Sequence, residues 1–336
     1  MKHGSKTAED GDLDLATRAA WLSYIGGYTQ GDIATRLGVS RAKAHRLIAQ
    51  AQEQGLVKVF IEGVPSECIA CEERLVRSFG LRNCIVAPAM GDARTGDGMF
   101  ASVGAAAARF LHRTLVGLAP GALVGVGKGR SLAAAISRMP LLRRPDLRFV
   151  SVSGSLTRKL SANPFDVVQR LVERSGGEGY FLPVPYLAAS GAEKQVLLAQ
   201  KSVQDMLALA RRAEFFVIGI GTLGQDAHIR QVGMVSEAEW DELRGLGAVG
   251  DIMGSFIDLA GSPVDSPVND HALGLRIDEL RGRRVIAVVG GTDKAKAVLG
   301  ALRTGIITDL VVAEAEARWI AARLGDDRLP LQEVGT

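Results

Sequence analysis

The chain has 336 residues, 47% of them hydrophobic and 23% charged. That length predicts two domains, or one large α/β domain with an appendage, and the composition excludes wholesale disorder. Three cysteines exclude a disulfide scaffold and point to a reducing compartment, and a net charge of +3 is too small to name a partner.

The opening residues carry no apolar stretch of the secretory kind. No apolar run approaches the roughly 18–20 residues that a membrane helix needs. A cytoplasmic chain with no membrane partner is expected. Residues 1–12 are polar and read as a flexible tail. Leu15, Ala19, Leu22 and Ile25 then recur at helical spacing, and Gly26-Gly27 closes that helix. Thr29 is placed to cap a helix over residues 30–37, Gly38-Val39-Ser40 makes a tight turn, and Ser40 caps a helix over 41–54. A short strand is expected at 56–61.

Residues 13–62 thus have the layout of a helix-turn-helix DNA-binding domain. Thr29 and Gln30 open its first helix, while Ser40, Arg41, Lys43, His45 and Arg46 lie at the start of the second, the end that enters a major groove. From residue 31 to 58, Arg36, Arg41, Lys43, Arg46 and Lys58 face only Asp32 and Glu53, a local +3. Glu9, Asp10, Asp12 and Asp14 mask this excess in the wider segment. Lys and Arg supply phosphate affinity, and Arg, Ser and His also read base edges. The alternative is a three-helix protein-interaction module with a solvated basic face.

After a helix at 67–79 the pattern changes. Apolar runs at 83–87, 123–126, 147–152, 179–182, 215–220, 284–289 and 307–312 alternate with helical stretches at 98–118, 131–139, 164–174, 294–302 and 313–324. Strands apolar throughout, separated by helices, predict a doubly wound, mostly parallel α/β domain over residues 66–336.

Three of these strands end in glycine turns. They are Gly127-Lys128-Gly129-Arg130-Ser131, Gly219-Ile-Gly221, and Gly290-Gly291-Thr292-Asp293-Lys294. Glycine lets a ligand approach the backbone, and free amides at a helix start favour an anion. Such turns gather at the carboxyl edge of an open α/β sheet. With Lys128, Arg130 and Lys294 beside them, they fit a phosphorylated or polyhydroxylated small molecule. Ser155, Thr157, Arg158 and Asn163 add hydroxyls and a cation after another strand. Asp251 and the run Asn269-Asp270-His271 could bond sugar hydroxyls, or simply cap loops.

Other chemistries are poorly supported. Gly219-x-Gly221-x-x-Gly224 lacks the following apolar helix and the distant acid of a dinucleotide site, so no cofactor is expected. Cys68-x-x-Cys71 has no second pair, so no metal is expected. No acid/base set marks a catalytic residue. A sugar-phosphate isomerase or deaminase with an accessory helix-turn-helix remains the rival reading, with Lys128, Lys159 or Lys294 as Schiff-base candidates.

These landmarks together resemble the SorC-type, sugar-binding bacterial transcriptional regulators, from about residue 14 to 325. The matching segments are Thr29-Gln30 to Ser40, Gly125-Val-Gly-Lys-Gly-Arg130-Ser-Leu, Ser155-Leu-Thr-Arg158 with Asn163, Gly219-Ile-Gly221, Gly250-Asp-Ile-Met-Gly254, and Gly290-Gly291-Thr292-x-Lys294-Ala. The resemblance implies a regulator of a carbohydrate or polyol catabolic operon rather than an enzyme. It implies operator DNA as one partner and a sugar phosphate or polyol effector as another. It further implies a fold similar to sugar-phosphate isomerases and deaminases, and a homodimer or homotetramer. Arg18-Ala-Ala-Trp-Leu-Ser-Tyr and Lys43-Ala-His-Arg-Leu-Ile are most similar to members tied to sugar-alcohol catabolism. Lys128 departs from the aromatic or uncharged residue of many members; it would either strengthen anion binding or fold away to solvent.

Overall fold

A computed structural model describes residues 8–57, 63–90, 96–154, 156, 167–224 and 227–324. The chain divides into two compact units, Met1–Phe60 and Ile61–Thr336. Most of the strand expected at 56–61, and Ser155, Thr157, Lys159, Arg158 and Asn163, lie outside the described residues.

In the first unit, helix α1 runs Ala8–Ala20 and passes into a π-helical turn, Trp21–Ile25, that stops at Gly26. The helix therefore starts at Ala8, inside the stretch expected to be a tail. Helix α2 follows at Gln30–Leu37 and α3 at Arg41–Glu53. Thr29 and Asp32 form a reciprocal capping box, with the Thr29 hydroxyl accepting from the Asp32 amide at 3.3 Å and donating to its carboxylate at 2.7 Å. Gly38 adopts φ 65°, which a non-glycine residue rarely tolerates, and so allows the tight turn. Ser40 caps α3 by accepting from the Lys43 amide at 3.1 Å. The core is small: Ile33 and Leu47 among six buried alanines. Alanine at the crossings lets the helices pack closely. Thr29→Ala should therefore loosen α2 by about 1 kcal/mol, seen as roughly fivefold faster hydrogen exchange of its amides. Unchanged exchange would show that the cap contributes nothing.

The second unit opens with α4 (Ser66–Phe79), β1 (Asn83–Ala87) and α5 (Gly96–Val116). There follow β2 (Leu123–Val126), α6 (Arg130–Arg138), β3 (Arg148–Ser151), α7 (Val168–Ser175) and β4 (Glu178–Tyr180). Helices α8 (Gly191–Ala199) and α9 (Lys201–Arg211) precede β5 (Phe215–Ile218). Next come β6 (Gly221–Thr222), α10 (His228–Gln231), α11 (Glu237–Gly245), β7 (Gly250–Ile252), β8 (Ser255–Ile257) and α12 (Pro267–Asp270). Strand β9 (Arg284–Val289), α13 (Ala295–Arg303), β10 (Asp309–Ala313) and α14 (Glu314–Arg323) complete it.

Seven strands form one parallel sheet in the order β1-β10-β9-β5-β2-β3-β4. Helices α5, α6 and α7 bury one face, and α4, α9, α13 and α14 the other. Burial on both faces explains why the strands read as unbroken apolar runs. After β4 the chain crosses back to place β5 on the other side of β2. The switch point of the sheet therefore lies between β2 and β5, where such sheets leave a crevice at their carboxyl ends. A small antiparallel sheet, β6-β7-β8, has no signature in the sequence pattern. It packs above its own apolar cluster around Trp240 and Phe256. No helix among the described residues is long and apolar enough to cross a membrane.

Candidate functional site

The three glycine turns follow β2, β5 and β9, which are neighbours in the sheet. A cleft opens at that edge, lined by Gly127 to Ser131, Ser153, Tyr186, Gly219 to Thr222, His228, Asp251, Met253 and Lys294. Gly129 holds φ 141° and precedes α6, whose first amides have no side-chain cap. Those amides are open to an anion. Gly221 is required for space: a Cβ there would lie 1.7 Å from Asp251 Oδ1.

The cleft gathers three cations around one carboxylate. Lys128 lies over the Tyr186 ring at 3.9 Å and its ammonium donates to the Gly154 carbonyl. It has therefore folded into the cleft and not away to solvent. Lys294 donates to the Ile220 carbonyl at 2.6 Å. Burial, reinforced by the nearby Arg130 charge, lowers its pKa to about 8. Tyr186 donates to Asp251 Oδ2 at 2.5 Å, and the Gly254 amide donates to the same oxygen at 3.2 Å. Among the described residues, none donates a hydrogen bond to Asp251 Oδ1. Burial raises the Asp251 pKa and, together with the adjacent Asp251 charge, holds the Tyr186 phenol well above its usual range. His228 is pushed down to about 4 by burial and then by Arg130, Lys128 and Lys294. The arrangement suits a ligand that brings negative charge to the amides of α6 and hydroxyls toward Asp251.

Several residues singled out from sequence have other work. Ser131 Oγ accepts from the Gly290 amide at 2.8 Å and lies 3.1 Å from the Gly290 carbonyl, so it ties the start of α6 to the turn after β9. Gly290 and Gly291 do not line the cleft. A Cβ on them would meet Val103 and Phe100 respectively. Asn269 is consumed by structure, accepting from the Phe256 amide at 2.6 Å and donating to the Val264 carbonyl at 2.7 Å. Cys68, Cys71 and Cys84 are buried, and burial raises all three thiols above their usual range. Sequence reasoning missed Tyr186 and His228, which come from segments without a recognisable motif, whereas Met253 lies inside the Gly250–Gly254 landmark without having been singled out as a lining residue.

In the first unit, Arg41, His45 and Arg46 are exposed on α3, and Lys43 is half-buried with Asp12 at 3.9 Å. Gln30 and His45 lie 3.1 Å apart, which joins the starts of α2 and α3 into one polar surface. Thr29 and Ser40 use their hydroxyls as caps.

The family model of the sugar-binding domain matches residues 64–322. The chain is 38% identical over 310 residues to the erythritol catabolism regulatory protein EryD of Brucella abortus, covering 92% of this chain and 96% of that protein. It is 32% identical over 317 residues to the transcriptional regulator LsrR of Enterobacter sp. strain 638, covering 93% and 94%. Among solved structures it is similar to the full-length sorbitol operon regulator SorC of Klebsiella pneumoniae. That match has a TM-score of 0.66 at 24% identity and covers 93% of this chain and 99% of the other.

Proposed function

We propose, from the premise that this chain belongs to the SorC-type family of sugar-binding bacterial transcriptional regulators, that it controls a polyol or sugar operon in response to a phosphorylated effector. Its named relatives are regulators and not enzymes. The carrying observation is the cleft itself, which Lys128, Arg130 and Lys294 line together with the uncapped start of α6. A neutral polyol would need no such charge. EryD takes its name from erythritol catabolism, so a four-carbon polyol phosphate is the first effector to test. Asp251 accepts from a ligand hydroxyl, and Gly127, Gly129 and Gly221 give the ligand access to the backbone. Charged hydrogen bonds contribute roughly 1.5–3 kcal/mol each, so calorimetry should find erythritol phosphate bound at least about tenfold tighter than erythritol. Equal affinities would show that the cleft does not use its charge on an anion.

Helix α3 reads the operator with Arg41, Lys43, His45 and Arg46; Ser40 caps it, Thr29 caps α2 before it, and Gln30 supports His45. Two half-sites require at least a dimer. Lys43→Ala with Arg46→Ala should weaken operator binding and flatten the salt dependence by about one unit for each phosphate no longer engaged. Wild-type affinity at physiological salt in this double variant would show that another surface reads the DNA.

A further inference from the structure

The edge of the seven-stranded sheet opposite the cleft is built largely from arginine. In a right-handed parallel sheet the covering helices end at the amino edge of the strands, so their carboxyl termini and the loops into the strands share one surface. Arginine there has an ordinary use in capping helix carbonyls. Arg138 donates to the Ala134 carbonyl, Arg174 to Ser137, and Arg303 to Leu259, each at 2.8–3.3 Å. These bonds leave the positive charge uncompensated.

Five more do not cap anything. Arg77 ends α4, Arg82 precedes β1, Arg113 ends α5, Arg143 precedes β3, and Arg212 precedes β5. All five are exposed. None has a side-chain hydrogen bond or an ion pair among the described residues. Nearby carboxylates are already paired elsewhere. Asp146 holds Arg144 at 2.7 Å, Asp309 holds Arg284 at 3.2 Å, and Glu279 holds Arg211 at 2.5 Å. Exposed Glu73, Glu173, Glu178 and Glu214 remain on these elements, half the number of the eight arginines. Strands about 4.8 Å apart spread this edge over roughly 29 Å from β1 to β4, close to one turn of duplex DNA.

We infer that the amino edge of the parallel sheet is a second DNA-contacting surface, binding backbone phosphates of the duplex that flanks the operator. The inference rests on the reading of the chain as an operator-binding regulator. Charge complementarity selects the partner: exposed guanidiniums without internal acceptors match phosphate in pairs. Such binding carries no sequence information and adds affinity that depends on duplex length and on salt.

The full-length chain tests this with two duplexes, one limited to the footprinted operator and one extended by about 20 base pairs of arbitrary sequence on each side. The extended duplex should bind about tenfold tighter at physiological salt, with a salt slope steeper by about two units or more. Arg82→Gln, Arg143→Gln and Arg212→Gln combined should bind the short duplex as wild type does and lose the advantage of extension. Equal wild-type affinity and slope on both duplexes would overturn the inference, as would a triple variant that keeps the advantage. A triple variant whose sedimentation shows altered assembly would instead make the edge an interface between copies. If wild type binds neither duplex, the operator reading itself falls, which is a distinct outcome.

Discussion

Replacing Lys294 by alanine should weaken effector binding about tenfold or more while leaving operator binding intact. The Lys294 amine lines the cleft and donates to the Ile220 carbonyl, and no carboxylate lies within ion-pair distance among the described residues. Its charge is therefore available to a phosphate. Removing it costs the ligand one charged hydrogen bond and one counter-charge, roughly 1.5–3 kcal/mol, or about tenfold to more than a hundredfold in affinity. The fold should survive, because the residue is half-buried at the start of α13, and the apolar side chains of that helix do the packing. Operator binding should survive because the variant leaves the Met1–Phe60 unit unaltered. The defect would then be loss of response and not loss of DNA recognition. Calorimetry with erythritol phosphate and a gel-shift assay on operator DNA separate the two. Normal effector affinity in the variant would place the anion elsewhere in the cleft. Loss of both activities would mean a folding defect.

The helix-turn-helix is legible in the sequence because local rules decide it. A capping Thr29, a glycine with positive φ at Gly38 and a capping Ser40 act within a few residues of one another, so chain order suffices. The parallel strands are legible for a similar reason: burial on both faces leaves a continuous apolar run. The glycine turns can be found one by one, and a parallel sheet gathers them at its carboxyl edge, but their adjacency there cannot be read. That depends on β9, β5 and β2 being neighbours, a fact of sheet order that no local pattern encodes. The other half of the cleft is invisible in sequence. Tyr186 lies in the connection between β4 and α8, and His228 opens the four-residue helix α10, stretches too short or irregular for any periodicity to register. Residues 8–12 read as a tail because they are polar and acidic, whereas acids at a helix start are favourable. Turn chemistry alone points Gly290 and Gly291 at the ligand, but a Cβ at Gly290 would crowd Val103 at 3.1 Å, and Gly291 holds φ 110°, so local packing and backbone conformation favour glycine there.

Effector affinity should be greatest between about pH 6 and pH 8. Two titrations bound that window. A phosphate monoester carries its second negative charge only above about pH 6. Lys294, lowered to about 8 by burial and then by Arg130, loses its proton above that value. Asp251 and Glu316 act on it in the opposite direction but do not restore the ordinary lysine range. In the free cleft at pH 9 the amine is therefore mostly neutral, and a dianion that binds must bring a proton with it. Affinity should fall about tenfold per pH unit above 8, approaching a hundredfold by pH 10, as the linkage of binding to one proton requires. His228, held near 4, stays neutral throughout and adds no slope of its own. The measurement is calorimetry at pH 9 in two buffers of different ionisation enthalpy, which reads proton uptake directly. Wild type should take up close to one proton per effector bound, and Lys294→Met none. An affinity that stays level from pH 7 to pH 10 would show that the Lys294 ammonium does not hold the anion, and the charge would then have to come from Arg130 and Lys128.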